Sequence, residues 1–398
     1  MDTQSDKAGR ASWTDQFPGN FLWSNAMLVC KGMAPYGAVA IADIDRIAAR
    51  LEAGPTTPEA WRDAWCDVGG ELEARAKAAA AAGHARTAGA LFLRAGNYLY
   101  TGERFVPPGP EKRALGERAF ACYHAGIRGK HPEIEFVEIA CEGVSLPALF
   151  MPAAGPRKRA PTVVVFNGMD NCKEMSVLFA GLEFAARGFN TLAVDGPGQG
   201  ESLRLRGIPA RYDYEVPAAA AYDVLASRPD VDPSRIAVMG YSFGGYYAAR
   251  VAAREKRYAA GIALTAGHWD LAAFQMAVRE KARREQKAVA QSNFQFQWVV
   301  GAPDADSAIV TAERFGVGTI AHEIACPFLV THGADDRIIP VANAQKLFDA
   351  IASKNKALRV FTAAEGGSAH AHVDDRPVGI AFAADWLADL FATRGGGA

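Results

Sequence analysis

Three short stretches hold residues that together could carry out nucleophilic catalysis. Gly240-Tyr241-Ser242-Phe243-Gly244 has the spacing G-x-S-x-G. A serine at the apex of a tight strand-to-helix turn stands clear of its sheet, and small residues on either side let the chain pass closely enough to make that turn. The apolar "IAVM" before it reads as the strand and "YYAARVAAR" after it as the helix. Alone, the pentapeptide is a weak signal, and a glycine-rich corner with an idle serine is the lesser of its two readings. A serine hydroxyl is a poor nucleophile near neutral pH, so it needs a base, and the base needs an acid to fix its tautomer. This type of turn is followed by the acid after a later strand and then by a histidine nearer the C-terminus. "LVTHGADDRIIP" supplies Asp336, with Asp335 as its competitor, and "AAEGGSAHAHVDD" supplies His370, preferred to His372 because it lies nearer the glycines. The oxyanion that attack creates requires backbone N–H donors. The amide of Phe243 and the amide of Met169, in the loop after "TVVVFNG", are the candidates.

The elements that must position these groups are legible from periodicity. "TVVVFNG", "NTLAVDGPG", "RIAVMGYS", "AAGIALTAG" and "PFLVTHGADD" are compact apolar runs, and most are separated by helical patterns. Such alternation predicts a mostly parallel sheet covered on both faces. "IEFVEIACEGVSLPALFMPA" reads as two strands and a turn, and "GIAFAADWLADLF" as a closing helix. Residues 1–130 read as a helical region. There "AIADIDRIAARLEAG" places Ile41, Ile44, Ile47 and Leu51 on one face, and an Ala-rich stretch is expected to break at Gly69-Gly70 and Gly83. The expected α/β core spans 131–267 and 321–398. Ser242 and Asp336 lie 94 positions apart, more than a strand, helix and strand require, so 268–320 reads as an inserted helical cap. Its "NFQFQW" offers Phe294, Phe296 and Trp298 to an aromatic or acyl pocket, although ordinary packing of the cap onto the core is the better account of any single one of them.

Composition narrows the partners. A formal net charge of −1 gives no electrostatic basis for nucleic acid or an anionic membrane. Six cysteines without C-x-x-C pairs suggest neither a zinc site nor a disulfide framework and suit a reducing cytoplasm. The polar N-terminus lacks a signal-peptide layout, and no apolar run approaches the ~20 residues that span a bilayer. "DGPGQGES" lacks the Lys-Ser/Thr ending of a P-loop and is not placed like a dinucleotide fingerprint; it reads as a tight loop at the sheet edge. No metal or cofactor is expected.

"FNGMD", "DGPGQGES", "GYSFGG", "HGADDRIIP" and "GGSAHAHVDD", in this order, resemble an α/β-hydrolase over residues 135–398. With "GMDNCKE" and "FLWSNAMLVCKG" in a helical N-terminal extension, the chain is similar to one branch of that superfamily, which contains 2,6-dihydroxypseudooxynicotine hydrolase and the fungal hydrolases that shorten polyketide pigment precursors. The resemblance implies hydrolysis of a carbon–carbon bond beside a ketone, a helical cap and a homodimer. It places nucleophile, acid and base on Ser242, Asp336 and His370. Asp170 stands where some relatives carry Glu, and Asp270 in "GHWDLAAF" is a candidate for an additional acidic residue. Asp170, Tyr241, Asp270 and Trp298 are the possible substrate-binding residues. The expected substrate is a small ketone or, as the alternative, an ester or amide. A non-catalytic ligand-binding module is the remaining reading.

Overall fold

A computed structural model describes residues 12–155, 159–169, 171–284 and 290–395. It divides into two compact units, Met1–His131 and Pro132–Ala398.

The first unit is helical: α1 (Phe21–Lys31), α2 (Ile41–Ala53), α3 (Pro58–Ala81), α4 (Ala85–Gly102) and α5 (Pro110–Lys130). Thr57 caps α3, its side chain accepting from the Ala60 amide, and Pro58 occupies the first turn, where the missing N–H costs nothing. The expected break at Gly69-Gly70 does not occur: α3 runs through both glycines. Gly69 lies against α4, where a Cβ would stand 3.1 Å from Leu99 Cγ, so this glycine serves close helix packing rather than termination. The chain does turn at Gly83, at φ 80°. On α2, Ile44, Ile47 and Leu51 are buried, whereas Ile41 is 74% exposed, because it starts the helix before the apolar stripe meets its neighbours. Trp23, Trp61, Trp65 and Tyr98 form a buried aromatic row with centroid spacings of 5.4, 5.3 and 5.8 Å.

The second unit is built on eight strands: β1 (Glu135–Cys141), β2 (Val144–Met151), β3 (Ala160–Phe166), β4 (Asn190–Val194), β5 (Val231–Tyr241), β6 (Ala260–Leu264), β7 (Phe328–Gly333) and β8 (Lys356–Phe361). Their order is β1-β2-β4-β3-β5-β6-β7-β8. β1 and β2 are antiparallel, as are β2 and β4, and every other pairing is parallel. The expected α/β class is the observed one. Helices α6 (Lys173–Ser176), α7 (Leu182–Ala186), α8 (Gly200–Arg204), α9 (Glu215–Ala226) and α10 (Phe243–Arg254) connect the first strands, a π turn (Val177–Gly181) joining α6 to α7. Between β6 and β7 lie α11 (Leu271–Arg284), α12 (Ala290–Val299) and α13 (Ala305–Ala312), and α14 (Val341–Ala350) and α15 (Arg376–Gly395) complete the fold. Among the described residues no helix is long and apolar enough to cross a membrane.

Strand register decides which loops meet. Phe166 lies opposite Gly240, Tyr241 opposite Leu264, Leu264 opposite Thr331, and Gly333 opposite Phe361. The carboxyl ends of β3, β5, β6, β7 and β8 therefore share one edge, where open parallel sheets present their ligand sites.

At that edge "DGPGQGES" is the anchor of a charged cluster. Asp195 is fully buried. Its Oδ1 accepts from the Lys173 amide (2.7 Å) and Asn167 Nδ2 (2.8 Å), and its Oδ2 from the Glu201 amide (2.8 Å). Lys173 Nζ meets Glu174, Asp195 and Glu201 at 2.6, 3.3 and 2.8 Å. Burial alone would lower the Lys173 ammonium, but three carboxylates hold it above its ordinary value. Burial and the neighbouring Glu174 push Asp195 up, to about 6, against the pull of Lys173. Asp195 thus joins the loop after β4 to both ends of the loop 167–173. Asp195→Ala leaves two buried amides without their acceptor, and a loss of about 3–5 kcal/mol is expected in urea unfolding.

Candidate active site

Ser242 occupies the turn between β5 and α10 at φ 59°, ψ −121°, a conformation that costs a non-glycine residue energy and persists only where the surroundings impose it. The imposing contacts are backbone on backbone. A Cβ at Gly240 would lie 1.9 Å from the Gly244 carbonyl oxygen, one at Gly244 would lie 2.4 Å from that of Phe166, and one at Gly245 would lie 2.1 Å from that of Thr265. The glycines of this turn are therefore required by the crossing of three chain segments.

The structure brings Ser242, His370 and Asp336 together. Ser242 Oγ lies 2.7 Å from His370 Nε2, and His370 Nδ1 lies 2.8 Å from Asp336 Oδ2. With Nδ1–H donating to the carboxylate, Nε2 is left to accept from the serine hydroxyl. Asp336 Oδ1 accepts from the Ile338 and Ile339 amides, both at 2.8 Å, and its side chain is 0% exposed. Burial would raise this carboxyl, but His370, His332 and the Ile339 amide outweigh it and hold the group below the usual carboxylate range. Asp335, its competitor, is an exposed residue whose amide donates to the Ser368 carbonyl at 2.9 Å.

His372 goes elsewhere. It is 0% exposed beneath α15, with Nδ1–H donating to the Gly367 carbonyl (2.6 Å) and Nε2 accepting from Thr331 Oγ1 (2.9 Å). Gly366 and Gly367 at φ 82° and 74°, then Ala371 and His372 at φ 52° and 55°, coil the loop so that adjacent imidazoles part company. Asp374 clamps it, accepting from the Ser368 and Ala369 amides at 3.0 and 2.9 Å. The "VDD" after the histidines gives no sign of this clamp.

On the oxyanion side, the Phe243 amide begins α10 and so has no acceptor within the helix. Gly168, next to Met169, packs against the nucleophile: a Cβ there would stand 3.2 Å from Ser242 Cβ. The turn containing Met169 is closed by the Asn171 amide on the Gly168 carbonyl at 3.3 Å. The neighbouring Asp170 lies outside the described residues.

Of the other candidates, Tyr241 is buried with its hydroxyl 2.8 Å from Ser176 Oγ and its ring edge-on to Phe179 at 5.2 Å. Asp270 is exposed and caps α11, accepting from the Ala273 amide at 2.9 Å. Trp298 is half-buried, with the Arg204 guanidinium 5.3 Å from its ring centre. Phe296 is buried, edge-on to Phe243 at 6.2 Å, while Phe315 stacks on Phe243 at 5.4 Å. Aromatic side chains from the β6–β7 segment thus cover the residue after Ser242. Two further histidines stand beside the site, His332 within "HGADDRIIP" and His268 within "GHWDLAAF", and neither is assigned a role there. His332 Nε2–H donates to the Ile339 carbonyl at 2.9 Å and lies 3.4 Å from Asp336 Oδ2. His268, in the loop after β6, is 9% exposed. Position at the carboxyl end of a parallel strand is the available signal for both.

A mostly parallel sheet that carries a serine on a strained strand-to-helix turn defines an α/β-hydrolase. Residues 181–394 match the prolyl oligopeptidase family, and the chain belongs to it: it is a hydrolase. Among its relatives, 20-hydroxy-prefusarin hydrolase (FUS2) of Gibberella moniliformis is 26% identical over 91% of this chain and 95% of its own. An α/β-hydrolase of Aspergillus fumigatus (psoB) is 33% identical over 56% of this chain and 53% of its own, and ucsC of Acremonium sp. is 31% identical over 58% and 52%. The chain spans about half the length of these last two. The crystal structure of 2,6-dihydroxy-pseudo-oxynicotine hydrolase shares the fold, at TM-score 0.74 and 24% identity over 90% of this chain and 95% of that one.

The buried histidines predict an acid-sensitive fold. Burial lowers His372 to about 4, against 6.5 for an exposed imidazole. Between these values the unfolded chain binds the proton first. The stability is therefore complete above pH 6.5 and is lost as the pH falls towards 4, a loss worth about 3 kcal/mol for this residue. Urea midpoints measured from pH 7 to pH 4 should fall accordingly, and His372→Asn should flatten the slope.

Proposed function

We propose that the protein is a serine hydrolase in which Ser242 is the nucleophile, His370 the base and Asp336 the acid. The hydrogen-bonded chain from Asp336 through His370 to Ser242, at 2.8 and 2.7 Å, carries this reading. Ser242 Oγ adds to a substrate carbonyl while His370 Nε2 takes its proton. Asp336 steadies the imidazolium, and the Phe243 and Met169 amides receive the oxyanion. Losing one such donor typically costs about 3–4 kcal/mol of the barrier.

We further propose that the bond broken is a carbon–carbon bond beside a ketone, in a 1,3-diketone or an acyl-arene. The resemblance of "GMDNCKE" and "DGPGQGES" supports this, and alignment along nearly the whole length of 20-hydroxy-prefusarin hydrolase supports a hydrolase. Collapse of the tetrahedral adduct sends the bonding pair onto the α-carbon, delocalised into the second carbonyl oxygen, and His370 returns its proton to that carbon. Water then hydrolyses the acyl-serine with His370 again as base. The helices between β6 and β7 act as the cap in this reading. It also carries the expectations of a cytoplasmic homodimer that takes small molecules without nucleic-acid partners.

The purified protein is expected to split 1-phenylbutane-1,3-dione into a carboxylic acid and a methyl ketone. Ser242→Ala should lower the rate by about 10⁴-fold or more. Brisk ester or amide turnover without diketone cleavage would move the assignment to a carboxylesterase or amidase. Failure of a fluorophosphonate to label Ser242 would leave only a binding module.

A further inference from the structure

The loop after β6 is held with unusual force. Thr265, a β-branched residue, sits at φ 93°, where such side chains are genuine outliers. Its Oγ1 is buried with no hydrogen-bond partner among the described residues, so the strain is not repaid locally. Its amide donates to the Thr331 carbonyl at 3.1 Å, and its own carbonyl lies against Gly245. Gly267 then crosses the first turn of α10, where a Cβ would stand 2.7 Å from the Tyr246 amide nitrogen. The Val317 amide donates to the His268 carbonyl and the Gly318 amide to that of Trp269, both at 3.2 Å. The backbone at 265–269 is thus fixed on both sides, one turn of helix from Ser242.

What this fixed loop carries is His268. Its ring lies on Phe274 of α11, with centroids 4.1 Å apart and planes 31° from parallel. It is nine-tenths buried, yet neither ring nitrogen hydrogen-bonds to a described residue. Neither nitrogen is among the fully buried polar atoms that lack a partner, so this fixed imidazole at the sheet edge keeps a ring nitrogen open to a ligand. Burial first, and then His370, lower its proton affinity, to about 4, with Asp336 pulling the other way. The ring is therefore neutral at pH 7, with one N–H donor. Neutrality also suits the mechanism, because His370 becomes a cation during attack and a second cation beside it would oppose that step.

We propose that His268 is a substrate-binding residue that donates a hydrogen bond to the second oxygen of a 1,3-dioxygenated substrate, the oxygen that does not receive the serine. The proposal rests on the attack of Ser242 on a substrate carbonyl. In carbon–carbon cleavage, the second oxygen takes up the electron pair released from the scissile bond. The hydrogen bond to His268 N–H then strengthens as charge develops, and His268 itself neither gains nor loses a proton.

Binding separates this proposal from the question of which bond is broken. Ser242→Ala cannot form the acyl-enzyme, so it can be titrated calorimetrically with 1-phenylbutane-1,3-dione and with 1-phenylbutan-1-one, which share a carbon skeleton and differ in the second oxygen. The dione is expected to bind about 10-fold more tightly. In Ser242→Ala/His268→Phe this preference should shrink to about 2-fold or less, with the monoketone affinity kept as evidence of an intact fold, and His268→Asn should restore part of it. Equal affinities in the single variant, undetectable binding of both ketones, or a preference that survives His268→Phe would overturn the proposal. Should the preference behave as expected while wild-type enzyme cleaves esters and no diketone, His268 stands and the carbon–carbon reading falls.

Discussion

Everything at the catalytic edge depends on how closely backbone can pass backbone around Ser242. The β5–α10 turn is pressed between the loop after β3 and the end of β6, and at Gly240, Gly244 and Gly245 there is no room for a methyl group. This crowding imposes the strained dihedrals of Ser242 and brings Gly168 against its Cβ. Strain of this kind, of order 1–3 kcal/mol, needs a rigid frame. The parallel register of β3, β5, β6, β7 and β8 provides it, with Phe166, Gly240 and Leu264 held almost in line. A shift of one residue in any of these pairings would reverse which side chains face the helices on each side of the sheet, so apolar burial locks the register and the register locks the turn.

Charge is handled in two different ways within a short distance. Around Lys173 the protein buries ionised groups and neutralises them against one another, with Asp195 tying the β4 loop to the loop that carries Met169. Around His370 it buries imidazoles and keeps them neutral: His268 and His372 are both lowered to about 4. The first arrangement gives stiffness. The second leaves the Asp336 carboxylate as the fixed charge hydrogen-bonded to His370, as the proposed proton transfer from Ser242 requires.

Much of this was legible in the residue order. Apolar runs marked the strands, since a strand covered on both faces cannot alternate, and G-x-S-x-G followed by an acid and a histidine picked out three residues that the fold brings within hydrogen-bond distance. Where two candidates stood close together, residue order supported a preference, for Asp336 and His370, but no firm separation. Asp335 and Asp336 differ by a single step in one loop, and His370 and His372 are separated by the left-handed Ala371 and His372, a backbone feature that residue identity does not announce. Gly69 misled for a related reason: a glycine that ends a helix and one that admits a neighbouring helix look alike until the neighbour is present. Asp195, Asp374 and His332 stand inside the sequence motifs, but their supporting roles come from contacts between distant loops, which residue order does not show.

The segment from His268 to the start of β7 is one continuous insertion hung between two strands whose pairing it does not join. Leu264 and Thr331 stay side by side whatever lies between them. Its aromatic residues lie over Phe243, whereas Ser242, Asp336 and His370 are all supplied from outside it. In evolutionary terms this makes the molecule modular in a useful place. Under the proposed assignment, the stretch that covers Phe243 and the residues assigned to bond making belong to separate parts of the chain, so the one can be exchanged without touching the other.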